Sequence, residues 1–95
     1  MPKGYWIAHV TVTNPDQYKL YAGAAPEAFN KYGATILARG GPSEQMEGAG
    51  RPRNVVIEFP SLQAAIDCYH SPEYQTAKAN RAGAGVADVV VVEGV

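Results

Sequence analysis

Four consecutive valines, Val89 to Val92, stand in the closing segment ADVVVVEG. Successive side chains of a strand point to opposite faces, so this run is apolar on both. The other strand-like segments behave alike. YWIAHVTVT (5–13) sets Tyr5 and Ile7 against Trp6, Ala8 and Val10, and RNVVIEF (53–59) sets Val55 and Ile57 against Val56. An antiparallel sheet with one wet face alternates apolar with polar residues, and these strands do not. Both faces of the sheet must be covered.

Helical signals supply one cover. Asn14 is a candidate N-cap, Pro15 a first helical residue, and Gln17 completes a capping-box pattern. Tyr18, Tyr21, Ala22, Ala25, Phe29 and Tyr32 then recur at helical spacing, with Gly33 suited to the C-terminal cap. Pro26 lies inside that pattern and predicts a kink or break near Gly23–Ala25. ATILAR (34–39) is a second strand, interrupted at Gly40-Gly41-Pro42; SEQME extends it toward a turn at Gly48-Ala49-Gly50. Ser61 caps a helix whose Leu62, Ala65, Ile66 and Tyr69 share one face. In DCYHSPEYQ (67–75) the Ser71-Pro72 pair ends that helix and caps another running to about Arg81. Tyr69 and Tyr74, on either side of this corner, lean toward the sheet.

The order is β-α-β-β-α-β, the ferredoxin-like arrangement: a four-stranded antiparallel sheet with its helices on one face. One domain over residues 1–95 is expected, since the chain is long enough for a single small core. No further segment remains to cover the second face. A second copy of the same sheet is the economical cover, which predicts a homodimer with an isologous two-fold interface.

The stretches GYWIAHVTVTNPDQYKLY, KYGATILARGG, EGAGRPRNVVIEFPSLQAAIDCYHSPEYQTAKANR and VVVVEG span nearly the whole chain. They resemble domain-of-unknown-function family 1330, of the dimeric α+β barrel superfamily. The resemblance implies the same fold and the same dimer. It carries no established reaction, although related dimeric barrels include cofactor-free monooxygenases and small-molecule isomerases.

Composition closes off other classes. Eight basic and nine acidic side chains give a net charge of −1, without the clustered basic surplus of a nucleic-acid binder. MPKGYWIAHV lacks the pattern of a signal peptide, and no apolar run approaches the ~20 residues that span a bilayer. Cys68, the lone cysteine, reads as a buried thiol and suits a reducing cytoplasm. Two distant histidines and one cysteine make no zinc motif, and RGGP opens no helix as a nucleotide loop would. No cofactor is expected.

Five residues are candidates for chemistry. Glu58 is a carboxylate between Ile57 and Phe59, and a carboxylate there needs a partner. A bulge at Gly40-Gly41 would bring Arg39 opposite it. An ordinary ion pair at the sheet edge and an anion-binding pair at a pocket both satisfy that geometry. His9, between Ile7 and Thr11 on its face, is a candidate general base; a satisfied core or interface histidine is the commoner use. Tyr69 and Tyr74 are candidate pocket walls, and His70 is an exposed helix terminus. The expected function is a cytoplasmic homodimer that binds or transforms a small, partly apolar or anionic metabolite. His9 and Glu58 would be catalytic, and Arg39, Tyr69 and Tyr74 would bind substrate. The rival is a structural or regulatory dimer without catalysis, and a cofactor-free oxygenase is a narrower enzyme variant. A pocket holding Arg39 and His9 together favours an enzyme; their separation favours the rival.

Overall fold

Residues 2–95 are described by a computed structural model. The β-branched and aromatic run Gly4–Val12 forms β1, and Thr35–Arg39, Arg53–Phe59 and Gly85–Glu93 form β2, β3 and β4. All pairings are antiparallel, in the order β2-β3-β1-β4. Among the described residues there are three helices: α1 (Pro15–Lys31), α2 (Leu62–His70) and α3 (Pro72–Ala79). This is the ferredoxin-like topology the sequence predicts. Among the described residues no helix is long and apolar enough to cross a membrane.

The alternation of β1 sorts the two faces. Trp6, Ala8 and Val10 are buried beneath the helices. Trp6 is the hub of the core, with its ring edge-on to Phe29 (5.3 Å), Tyr69 (5.8 Å) and Tyr74 (4.9 Å) and tilted on Phe59 (5.6 Å). Its indole Nε1 donates to the Ala65 carbonyl at 2.8 Å, which ties the sheet to α2. Cys68 is fully buried in the same cluster, and desolvation pushes its thiol up to about 12. It is a packed thiol without nucleophilic character.

The opposite face carries no helix among the described residues; only the loop before β3 reaches over one end of it, where Arg51 donates to Asp88 at 2.8 Å and to Thr11 Oγ1 at 3.0 Å. Register places Ala38, Val56, Ile7 and Val90 in one row across all four strands, with Glu58, Tyr5 and Val92 in the next. Val86, Val90 and Val92 are 50%, 54% and 44% exposed. Val89 and Val91, pointing the other way, pack on the core.

At the corner one hydroxyl serves two helices. Ser71 Oγ donates to the Cys68 carbonyl at 2.7 Å, at the end of α2, and accepts from the Tyr74 amide at 3.1 Å, at the start of α3. The side chain is buried, so losing it strands the Tyr74 amide away from water, while the Cys68 carbonyl keeps the Ser71 amide at 3.2 Å. Ser71→Ala is therefore expected to cost about 2 kcal/mol, the upper end of the N-cap range, measured by denaturant unfolding. A cost near zero would mean that the hydroxyl is not what sets the corner.

Other expectations are revised. Pro26 does not break α1, which runs unbroken over 17 residues. The Asn14 side chain caps the Gln17 amide, but the Gln17 side chain donates to the carbonyls of Asn80 and Ala82 instead of closing a capping box. Residues 40–52 form no strand extension, and α3 ends at Ala79, short of Arg81.

Candidate functional site

Helix α1 packs mainly on α3 and makes few close approaches to the sheet. Small residues on its underside, Ala22, Ala25 and Pro26, leave a cavity of about 200 Å3 between α1 and the sheet. Trp6, Ala8 and Val10 of β1, Val55 and Ile57 of β3 and Ile36 of β2 form its floor; Tyr18, Tyr21 and Phe29 of α1 and Tyr74 of α3 form its walls. Arg39, Arg53 and Arg81 also line it, and no carboxylate does. Among the described residues the ion pairs are Lys3–Glu58, Lys31–Glu73 and Arg51–Asp88, so none of these three arginines is neutralised by an acid.

Each arginine reaches the cavity for a local reason. A bulge lies between Ile36 and Ala38, at Leu37. Thr35 and Arg39 are four residues apart and would otherwise share a face; the extra residue inverts the strand, so Arg39 pairs with Val55 on the helix side. Arg53 stands opposite Val10, and its guanidinium lies 5.5 Å from the Tyr18 ring centroid. Its Nε is buried without a hydrogen-bond partner. Gly40, at φ +68, opens the room it occupies: a side chain there would run into the guanidinium. Arg81 donates from Nη1 to the Tyr74 hydroxyl at 3.3 Å and stacks 4.9 Å from the Tyr21 ring centroid.

The sequence-predicted residues are divided by the sheet. Arg39 and Tyr74 line the cavity. Tyr69 touches Trp6 but faces a second, shallower hollow beside β4, under the Lys78 ammonium at 5.2 Å. The expected Arg39–Glu58 pair does not form. Glu58 is opposite Thr35 and Tyr5, on the open face, where the Tyr5 hydroxyl donates to it at 3.1 Å and Lys3 Nζ lies 4.0 Å away. The accepted hydrogen bond from Tyr5 raises the pKa of that phenol. Register sets Thr35 and not Arg39 opposite Glu58, and the bulge lies at Leu37 instead of Gly40-Gly41, which turns Arg39 to the other face.

His9 is also on the open face, between Asn54 and Asp88. The Asn54 amide nitrogen donates to Ser43 Oγ at 3.1 Å, so its oxygen faces His9 Nδ1, which donates to it. The sheet separates His9 from Arg39. The two candidate catalytic residues, His9 and Glu58, thus share the open face, and the candidate binding residues Arg39 and Tyr74 lie on the other.

Arg53, Arg81, Tyr18 and Tyr21 were not foreseen as site residues. The signal for Arg53 was present: it falls on the apolar face of its strand, in step with Val55 and Ile57.

A family model described as "Domain of unknown function (DUF1330)" matches residues 3–95. The chain belongs to this family. Among solved structures, the protein of unknown function RPA0582 from Rhodopseudomonas palustris superposes with a TM-score of 0.72 at 17% identity, covering 99% of this chain and 83% of that one. SnoaB from Streptomyces nogalater, described as a cofactor-independent oxygenase, gives 0.68 at 9% identity, covering 97% and 92%. A protein of unknown function from Bacteroides fragilis, described as dimeric and ferredoxin-like, gives 0.57 at 15%, covering 96% and 95%. At these identities what is shared is the fold. No curated protein matches the chain.

Proposed function

We propose that the chain binds a small, largely apolar anion in the cavity between α1 and the sheet, and that it does so as a homodimer joined through the open face. The observation that carries this is the lining: aromatic and aliphatic walls, three arginines and no carboxylate. A guanidinium keeps its charge at any working pH, so an aromatic-walled space with unpaired guanidinium groups favours an anion with an apolar body. A 150 Å3 apolar cavity accommodates benzene, so about 200 Å3 suits one ring with a substituent.

Benzoate and benzamide, equal in shape and different in charge, test this by calorimetry. Benzoate is expected to bind at least tenfold tighter, in line with the ~1.5–3 kcal/mol of a charge-assisted hydrogen bond. Arg53→Met is expected to abolish that preference. Equal binding of the two probes, or none, favours the structural or regulatory alternative.

Catalysis is no part of this reading, because His9 and Glu58 lie across the sheet. The likeness to SnoaB supports a narrower variant, oxidation of the bound anion without a cofactor, through fold alone. The dimer has separate support in the uncovered apolar row of Val56, Ile7 and Val90 and in the dimeric neighbour from Bacteroides fragilis.

A further inference from the structure

Tyr21 and Tyr74 meet hydroxyl to hydroxyl at 2.8 Å, on the wall of the cavity. Two hydroxyls hold two protons, and the bond between them uses one. Arg81 settles which. A guanidinium only donates, so its bond to Tyr74 Oη at 3.3 Å occupies a lone pair of that oxygen. Tyr74 is fully buried, and its own proton needs an acceptor; Tyr21 Oη is the one within reach among the described residues. The chain therefore runs Arg81 to Tyr74 to Tyr21, and among the described residues the Tyr21 proton has no acceptor left.

We propose that the Tyr21 hydroxyl is the donor that takes an oxygen of the bound molecule, a phenolate or enolate oxygen on a ring-sized ligand, and that Tyr74 and Arg81 are positioning residues that orient and polarise it. This rests on the cavity being a ligand site, and adds which ligand atom is read. A donor fed by two others gains strength as its acceptor gains negative charge, so the site selects the ionised form of a weakly acidic hydroxyl. Burial pushes the Tyr21 phenol far above its ordinary range, so it remains a donor and does not become a competing anion. Of the groups around it, Tyr74 and Tyr18 raise it further and Arg81 opposes them, with burial the largest influence. Tyr18 of α1 lies 5.4 Å away ring to ring, Arg81 stacks on the Tyr21 ring, and Arg39 and Arg53 line the same cavity.

The probe is p-nitrophenol, whose anion absorbs visible light, so its ionisation can be titrated while bound. In the native chain the bound probe is expected to ionise at least one pH unit below the free one. In Tyr21→Phe the neutral probe should bind within about threefold of native while the anion binds about tenfold more weakly, so that the bound pKa rises by about one unit. Arg81→Met should raise it in the same direction, with Arg81→Lys recovering part of the effect; a merely structural Arg81 would lower stability and leave the bound pKa unmoved. A Tyr21→Phe protein that folds and binds with the native bound pKa overturns the donor role and leaves the cavity reading intact. Failure of the native chain to bind the probe removes both. Should Tyr21→Phe not fold, the Tyr21 hydroxyl proton resonance of the native chain decides. A downfield shift on adding the probe upholds the role, and an unmoved resonance overturns it.

Discussion

Val90→Asp is expected to leave the chain monomeric at micromolar concentration, where the native chain is expected to sediment at twice its mass. Val90 closes the row Ala38–Val56–Ile7–Val90 and is 54% exposed in one copy. A second sheet would bury it, and the two-fold axis would bury two carboxylates at once. An unpaired charge taken out of water costs about 3–5 kcal/mol, so two raise the dissociation constant by at least a thousandfold. Val91→Asp differs by one position and should behave differently, because Val91 packs on the core and its substitution unfolds the chain. Leu20→Asp, on an exposed turn of α1, should alter neither mass nor fold. A native monomer, or a Val90→Asp dimer, would refute the interface.

Trp6→Ala has the other large expected effect. The indole touches four aromatic rings and holds the Ala65 carbonyl, so its removal leaves a void where α2, α3 and the sheet meet. Aromatic-to-alanine changes in cores cost about 3–5 kcal/mol, against a total of about 5–15 for a domain. For this chain length each kcal/mol lowers the melting temperature by roughly 4–8 °C, so circular dichroism should show a fall of about 15 °C or more. Trp6→Phe keeps most of the packing and loses the hydrogen bond, with an expected cost of about 1–2 kcal/mol. A fall under 5 °C for Trp6→Ala would mean that the neighbouring rings close the void.

The topology was legible because its signals are local and repeated. Each strand has its β-branched run, Asn14, Ser61 and Ser71 cap their helices, and the valine run states that two faces are apolar. The site was less legible because it depends on register. The residues linking β2 to β3 form an irregular exposed segment instead of a tight turn, so turn geometry does not set the pairing of Arg39. One extra residue at Leu37 then decides the face on which that charge stands. Sequence position alone carries no mark of it, since Leu37 is neither glycine nor proline. The Tyr21–Tyr74–Arg81 chain joins residues 53 positions apart through packing of α1 on α3. Helical spacing foretells that Tyr21 is turned inward, but not which hydroxyl it meets.

Gly40 lies on the surface, yet it governs a charge inside. Arg53 can stand over Tyr18 only because position 40 has a hydrogen where other residues have a carbon. The electrostatics of the interior are thereby adjustable from outside: a single methyl at an exposed bend, with no change to any cavity-lining residue, would displace a cation from its place over Tyr18. On the proposed reading of the cavity as an anion site, ligand preference among relatives would diverge at a loop position that a survey of pocket residues would pass over.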